Sequence, residues 1–316
     1  MYNFSKEILA FHRDEVALSQ QDLQAIRERR NINRKRIMSG LSYHNYPLPY
    51  AFHSQGSYAM NTMVQDDEWD YDIDDGIYFE MDQLIGPRGG KVSALEAKRI
   101  VCFAIQSDTF NQAPEYLKNC VRVYYKEGYR IDVPVYRRIV TTDRLGNDYE
   151  YFELASADWK RSDARDVTKW FEDQNALKSP QEKSGRQMRR ICRLVKKFAR
   201  SRNSWKIQTV SGFIITKLVA ECYQPHPARD DLAFYRTLAN IYNRVLSNQT
   251  VIHPVTPNEI ITKNYNDTKI RFFRDKIYVA LVRLNKLFPP DCTEKRAIKI
   301  WSLVLNTEYF NSLSQC

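Results

Sequence analysis

At 316 residues, with 43% apolar and 13% aromatic side chains, the chain has core material for two lobes and is neither disordered nor fibrous. A net charge of +10 sits with six scattered cysteines, none in a C-x-x-C pair, which argues against a zinc ribbon and a disulfide framework. No apolar run approaches the ~20 residues of a bilayer span, and the stretch from Met1 to Glu7 lacks the basic-then-apolar layout of a signal peptide, so a soluble, cytoplasmic protein with no membrane partner is expected.

In chain order, residues 1 to 44 predict helix. Ser19 and Asp22 form a capping box ahead of Leu23, Ile26, Ile37 and Leu41 at roughly helical spacing. Pro47 and Pro49 end it. A short apolar run, Tyr50 to Phe52, leads to Gln55, Gly56 and Ser57. If Tyr58 to Val64 continue as a helical turn, Gly56 and Ser57 stand at its N-terminus, where free backbone N–H groups bind phosphate and glycine admits a close approach. On its own, a Gly-Ser step is mostly just a turn.

The next segment is the most unusual. Seven carboxylates and no lysine or arginine lie between Asp66 and Asp75, and such crowding is unfavourable unless cations neutralise it. Tyr71, Asp72, Ile73 and Asp74 alternate polar and apolar, as in a half-buried strand, so Asp72 and Asp74 share a face. Two carboxylates side by side suit hard divalent cations such as Mg2+. An Asp70/Asp72 pairing is the alternative phase.

Residues 86–90 predict a loop and Ser93 to Gln106 a helix. Cys120 to Tyr125 and Tyr129 to Tyr136 then alternate as two strands joined by a short glycine-containing connection. Asp132 lies on the face opposite the apolar side chains, costly unless something positive stands beside it. A surface aspartate paired with an arginine is its competing reading.

Past a turn-rich stretch at 141–147 the pattern becomes helical: Ser156 to Asp173, then a long helix from Ser179 and Pro180 through Arg202 with Met188, Ile191, Cys192, Val195, Phe198 and Ala199 in one stripe. Ser211 and Gly212 precede a helix from Phe213 to Cys222, and further helices are expected at Leu232 to Leu246, Lys269 to Leu287 and near the C-terminus. The expected division is 1–150 and 151–316, with the N-terminal helix able to pack on both parts. Arg27 to Arg36 holds six basic residues against one acid, and Lys183 to Lys206 holds ten and no acid. Basic stripes beside an acidic cluster suit a protein that handles polyphosphates. They would also attract nucleic acid, or be merely solvated faces.

Together the Gly-Ser turn, two strand acids at spacing two and a third acid on a later strand resemble the DNA polymerase beta-like nucleotidyltransferases. More narrowly, Gln55 to Tyr58, Tyr71 to Tyr78 and Arg130 to Tyr136 resemble the bacterial cGAS/DncV-like nucleotidyltransferases (CD-NTases), and the likeness runs on through Asp158, Trp159, Ser162, Asp163, Lys196, Lys197, Ser211 and Gly212. The resemblance implies an α+β fold: a polymerase-beta-like lobe of mixed sheet and helices plus a C-terminal helical lobe, with the active site in the cleft between them. It implies linkage of nucleoside triphosphates, ATP or GTP foremost, into a cyclic oligonucleotide with release of pyrophosphate, a second messenger read by an effector in anti-phage (CBASS) defence. Asp72, Asp74 and Asp132 would hold two Mg2+ ions, or Mn2+, about 3.5–4 Å apart. Asp132 would also accept the proton of the attacking hydroxyl.

By the same resemblance Gln55, Gly56, Ser57, Lys197 and Ser211 contact nucleotide phosphates, with Lys196 competing for the role of Lys197 and Arg122 a further phosphate contact. Tyr136 either stacks a base or fills an interface. The chain has no Cys/His cluster for a zinc insertion like that of the animal DNA sensor of the family, so activation by duplex DNA in that manner is not expected. A linear nucleotidyltransferase and a non-catalytic basic nucleic-acid-binding protein are the rival readings.

Overall fold

The computed structural model describes residues 1–66, 71–86, 89–108, 110–126, 128–179, 181–182, 185–263 and 266–313. Asp70, and with it the alternative acid pair, lies outside the described residues. The chain forms two compact units, one of Ser19–Met60 with Asp66–Thr168 and one of Met1–Leu18, Asn61–Gln65 and Lys169–Cys316.

The first unit is built on an eight-stranded mixed sheet. Its strands are β1 Ala51–Ser54, β2 Asp72–Glu80, β3 Phe110–Tyr116, β4 Val121–Tyr125, β5 Arg130–Val133, β6 Val135–Thr142, β7 Asp148–Ala155 and β8 Trp159–Arg161. They run in the order β3-β4-β5-β2-β6-β7-β8, with β1 antiparallel on β2. Strand β2 is parallel to both β5 and β6. The one strand expected over Tyr129 to Tyr136 is therefore two, because Pro134 has no N–H to give the ladder. Its carbonyl still accepts from Ile77 N–H at 2.9 Å, and the same 58-residue offset relates β2 to its partners on either side of the proline. Strand β8 replaces the start of the helix expected from Ser156. There Trp159 Nε1 donates to the Val92 carbonyl at 3.1 Å, and three residues are too few to show a period.

Two long helices complete this unit. Helix α2 (Gln20–Tyr43) follows α1 (Ser5–Phe11) of the other unit. It opens on Ser19, whose side chain accepts from Asp22 N–H while the Asp22 carboxylate accepts from Ser19 N–H, so the expected capping box is present. It buries Ile26, Ile37 and Leu41. Four of its arginines do not stand free. Arg29, Arg30, Arg34 and Arg36 lie over the rings of Tyr129, Tyr58, Phe52 and Phe110, at 4.2, 5.6, 5.3 and 5.3 Å. After the one-turn α3 (Gly56–Ala59), helix α4 (Ala94–Ala104) is capped by Ser93 as the pattern predicts.

The second unit is helical: α5 (Ala164–Lys178, whose first turn belongs to the sheet unit), α6 (Gln187–Ala199), α7 (Asn203–Lys206), α8 (Gly212–Cys222), α9 (Asp230–Ser247), α10 (Thr268–Leu284), α11 (Glu294–Leu305) and α12 (Tyr309–Leu313). Helix α6 begins later than Ser179, just after Gly185, whose φ of +84° interrupts a helical path. Its predicted apolar stripe is buried throughout. Residues 1–18 pack with this unit rather than with the sheet: Phe4 lies parallel to Trp301, Phe4 and Phe11 contact Phe310, and Phe4 N–H donates to Asp231 at 2.9 Å. No helix of the described residues is long and apolar enough to cross a membrane.

Candidate active site

Strand β2 carries the acids in the phase the alternation predicts. Tyr71 and Ile73 are buried, Asp72 is exposed and Asp74 is half-buried. In the parallel ladder Asp74 stands in register with Asp132, and Asp72 with Arg130. Neighbours in register project to one face, so Asp74 and Asp132 share a side of the sheet. The Asp74 carboxyl is raised to about 7, first by burial, then by the charges of Asp132 and Asp72, with partial relief from Arg122. Asp75, the next residue, points the other way and is buried in an ion pair with Arg34.

The three aspartates are not gathered into a ready-made cage. Arg122, across the β4–β5 ladder, holds both Asp132 oxygens, Nε at 2.6 Å and Nη2 at 2.7 Å. Arg130 Nε donates to Asp72 at 2.8 Å. Among the described residues no three His, Cys, Asp or Glu side chains lie close enough to hold a metal ion. The described side chains thus form no ready-made metal cage, and Asp132 pairs with an arginine as its competing reading had it. The cause is cross-strand register: a guanidinium lands beside each outer carboxylate, and a bidentate pair is a strong claim on its oxygens. Arg122, expected at a phosphate, makes this clamp.

The Gly-Ser turn adjoins the same acids. Gly56 has φ +60°, and a Cβ there would stand 2.0 Å from Asp74 Oδ2, so only glycine lets the turn lie on that carboxylate. Gln55 N–H donates to the Asp74 carbonyl at 2.9 Å, while Ser57 is partly exposed. The Gln55 side chain goes elsewhere. Its amide donates to Tyr78 Oη at 3.0 Å and accepts from Tyr136 Oη at 3.2 Å, over two rings stacked with centroids 4.5 Å apart. Tyr136 is buried with Tyr78 and Phe152, so it is a floor for Gln55 rather than a base platform. A Cβ on Gly76 would stand 2.0 Å from Gln55 Nε2, which is why a glycine sits there too.

The remaining predicted contacts lie in the helical unit. Lys197 Nζ donates to the Gln65 carbonyl at 3.3 Å. Lys196, which competes with Lys197 for the phosphate role, is buried, its Nζ bonded to the Thr62 carbonyl at 3.1 Å and Oγ1 at 2.8 Å. Ser211 caps α8, its Oγ accepting from Ile214 N–H, and its neighbour Gly212 lies against the Lys196 stem. Sequence reading missed Arg130, the Arg34–Asp75 pair and the Asn61–Gln65 segment. Arginines at alternate strand positions were the visible signal, but which acid each meets depends on a register the sequence does not print.

Residues 50–136 match the family described as cyclic GMP-AMP synthase DncV-like, nucleotidyltransferase domain. The fold extends over nearly the whole chain in solved structures. Vibrio cholerae DncV, in complex with the linear intermediate 5' pppA(3',5')pG, aligns with a TM-score of 0.73 at 14% identity, covering 97% of this chain and 96% of that one. Escherichia coli DncV in its 3'-deoxy GTP bound form gives 0.71 at 15% identity, covering 99% of each chain. The Bradyrhizobium diazoefficiens CD-NTase CdnG in complex with GTP gives 0.69 at 12% identity, covering 98% and 97%.

Proposed function

We propose, from the premise that the chain carries a DncV-like nucleotidyltransferase domain over residues 50–136, that it joins nucleoside triphosphates into a cyclic oligonucleotide with release of pyrophosphate. The observation that carries this reading is the pairing of Asp74 with Asp132 directly beneath the left-handed Gly56 turn. The donor set fits a divalent cation. Asp74 is a hard oxygen donor, forms no ion pair among the described residues, and has its pKa raised first by burial and then by the charges of Asp132 and Asp72, a condition a bound cation relieves. Asp74 and Asp132 would hold such ions, with Asp72 joining on release from Arg130. Bound there, Mg2+ would neutralise triphosphate charge and acidify the attacking hydroxyl.

The chain's own residues supply the rest. The Gly56–Ser57 turn receives a phosphate, and Lys197 and Ser211 add contacts to the triphosphate. Asp132 accepts the hydroxyl proton, with Arg122 shared between that carboxylate and a substrate phosphate. Positioning of this kind accounts for most of the rate in phosphoryl-type transfer. ATP and GTP are the proposed substrates, and a cyclic-nucleotide-responsive effector in anti-phage defence the proposed receiver.

The nucleic-acid-binding reading draws less support. The arginines of α2 lie on aromatic rings, and on α6 Arg189 and Arg190 pair with Glu172 and with Asp230 and Glu182. Incubation with the four triphosphates and Mg2+ tests the proposal. Phosphatase-resistant product and pyrophosphate are expected, and both should vanish in Asp74→Asn. Phosphatase-sensitive product that grows on a primer would refute cyclisation.

A further inference from the structure

Lys196 is a buried ammonium that forms no salt bridge among the described residues. Its Nζ bonds go to one residue, Thr62, through both the carbonyl and the hydroxyl. Burial without a counter-charge is unfavourable, and a methionine of similar length would fit an apolar helix face better. This lysine is therefore not explained by the packing of α6.

What it holds is a segment fastened at its other end as well. Gln65 N–H donates to the Val16 carbonyl at 2.9 Å, and Gln65 Nε2 donates to the carbonyls of Asp14 and Ala17 at 3.1 and 2.6 Å. Residues His12–Val16 form a π-turn, a widened backbone that leaves carbonyls open to such donors. The Gln65 carbonyl in turn accepts from Lys197. At Asn61 the chain takes φ +51°, a left-handed bend that sets the segment off from the helical turn before it. Residues Asn61–Gln65 thus pack with the helical unit although the chain on either side of them belongs to the sheet unit. Just upstream in sequence are Gly56 and Ser57; just downstream begins the acidic run that ends in Asp72 and Asp74.

We propose that Asn61–Gln65 is a strap that positions the phosphate turn joined to it at Met60, and that Lys196 is its principal positioning residue, acting through Thr62 rather than on substrate. The catalytic part of this inference rests on the synthase reading; the anchoring part does not. A small displacement of a positioning element costs turnover more than affinity, on the order of tenfold to a hundredfold.

Four variants, Lys196→Met, Thr62→Val, Thr62→Ser and the double variant Lys196→Met/Thr62→Val, are compared by kcat, KM, Tm and hydrogen–deuterium exchange. Lys196→Met and Thr62→Val should each lower kcat by at least about tenfold with KM for nucleotide unchanged, and Thr62→Ser should restore it. The double variant should be no slower than Lys196→Met alone, since the hydroxyl bond that Thr62→Val removes is already lost with the lysine. Exchange should quicken in peptides covering 56–66 and nowhere else, with Tm preserved. A rise in KM at constant kcat would make Lys196 a substrate contact and overturn the proposal. So would additive losses, or faster exchange across the whole helical unit. If the wild type makes no product the synthase reading fails, and exchange in 56–66 still decides the strap. If Lys196→Met does not fold, Thr62→Val against Thr62→Ser carries the test.

Discussion

At the scale of single residues, Gly56 and the three aspartates show how far side-chain alternation reaches. A period of two placed Asp72 and Asp74 on one face, and the same rule put Asp132 on the polar face of its own strand. The arginines that hold Asp132 and Asp72 were not legible, because pairing between strands far apart in sequence is set by turns and packing. Gln55 shows the converse: its position was found, yet its amide serves two tyrosines. Gly56 gives a sharp prediction. In Gly56→Ala the new methyl collides with the Asp74 carboxylate in a backbone region that alanine disfavours, so pyrophosphate release should fall by about a hundredfold or more, while circular dichroism still reports a folded chain. Retention of wild-type rates would mean that the turn has no part in catalysis.

At the scale of elements, the helix starts were the most readable features. Ser19 and Asp22 formed their box where the spacing placed it, and Ser19→Ala should cost about 1 kcal/mol in urea unfolding. The π-turn at His12–Val16, which packs against α6, was invisible, since no local propensity announces it. Within it His12 is buried with Nε2 unpartnered, and burial followed by the charges of Arg193 and Arg190 depresses its pKa to about 3. At this residue the unfolded chain takes up a proton below pH 6.5 that the folded one refuses until about 3, so its contribution to stability falls as pH drops through that window, against the opposite contribution of Asp74, whose raised carboxyl takes its proton first in the folded chain. The slope expected from this group approaches about 1.4 kcal/mol per pH unit well below pH 6.5, and His12→Gln should remove that contribution in denaturation curves collected between pH 7 and pH 5. Parallel curves for the two proteins would remove His12 as the cause.

At the scale of the whole molecule, the +10 charge is the least informative number in the sequence. Its sum was read easily, but Arg29 and Arg36 of α2 lie over aromatic rings, and on α6 Arg190 is buried against Asp230. Fluorescence anisotropy with a labelled duplex at physiological salt should accordingly give a Kd no tighter than about the micromolar range of non-specific binding, and the duplex should not stimulate product formation. Tight, salt-resistant binding would revive the nucleic-acid reading. The two-part organisation was legible in outline, because strand-like alternation gives way to helical periods after the middle of the chain. Recruitment of residues 1–18 and 61–65 into the helical unit was not, since it depends on contacts across hundreds of positions, such as that of Phe4 with Trp301.

Pro134 leaves a lasting mark on what this chain can tolerate. Because the spacing between β2 and its two parallel neighbours is identical on both sides of the ring, the carboxylate pair at 74 and 132 and the tyrosine pair at 78 and 136 behave as marks on one ruler. Losing or gaining a single residue between Asp132 and Tyr136 would turn one of these two side chains to the back of the sheet while its partner on β2 stayed in front. The gap from Asp132 to Tyr136 can therefore drift in composition but not by an odd number in length.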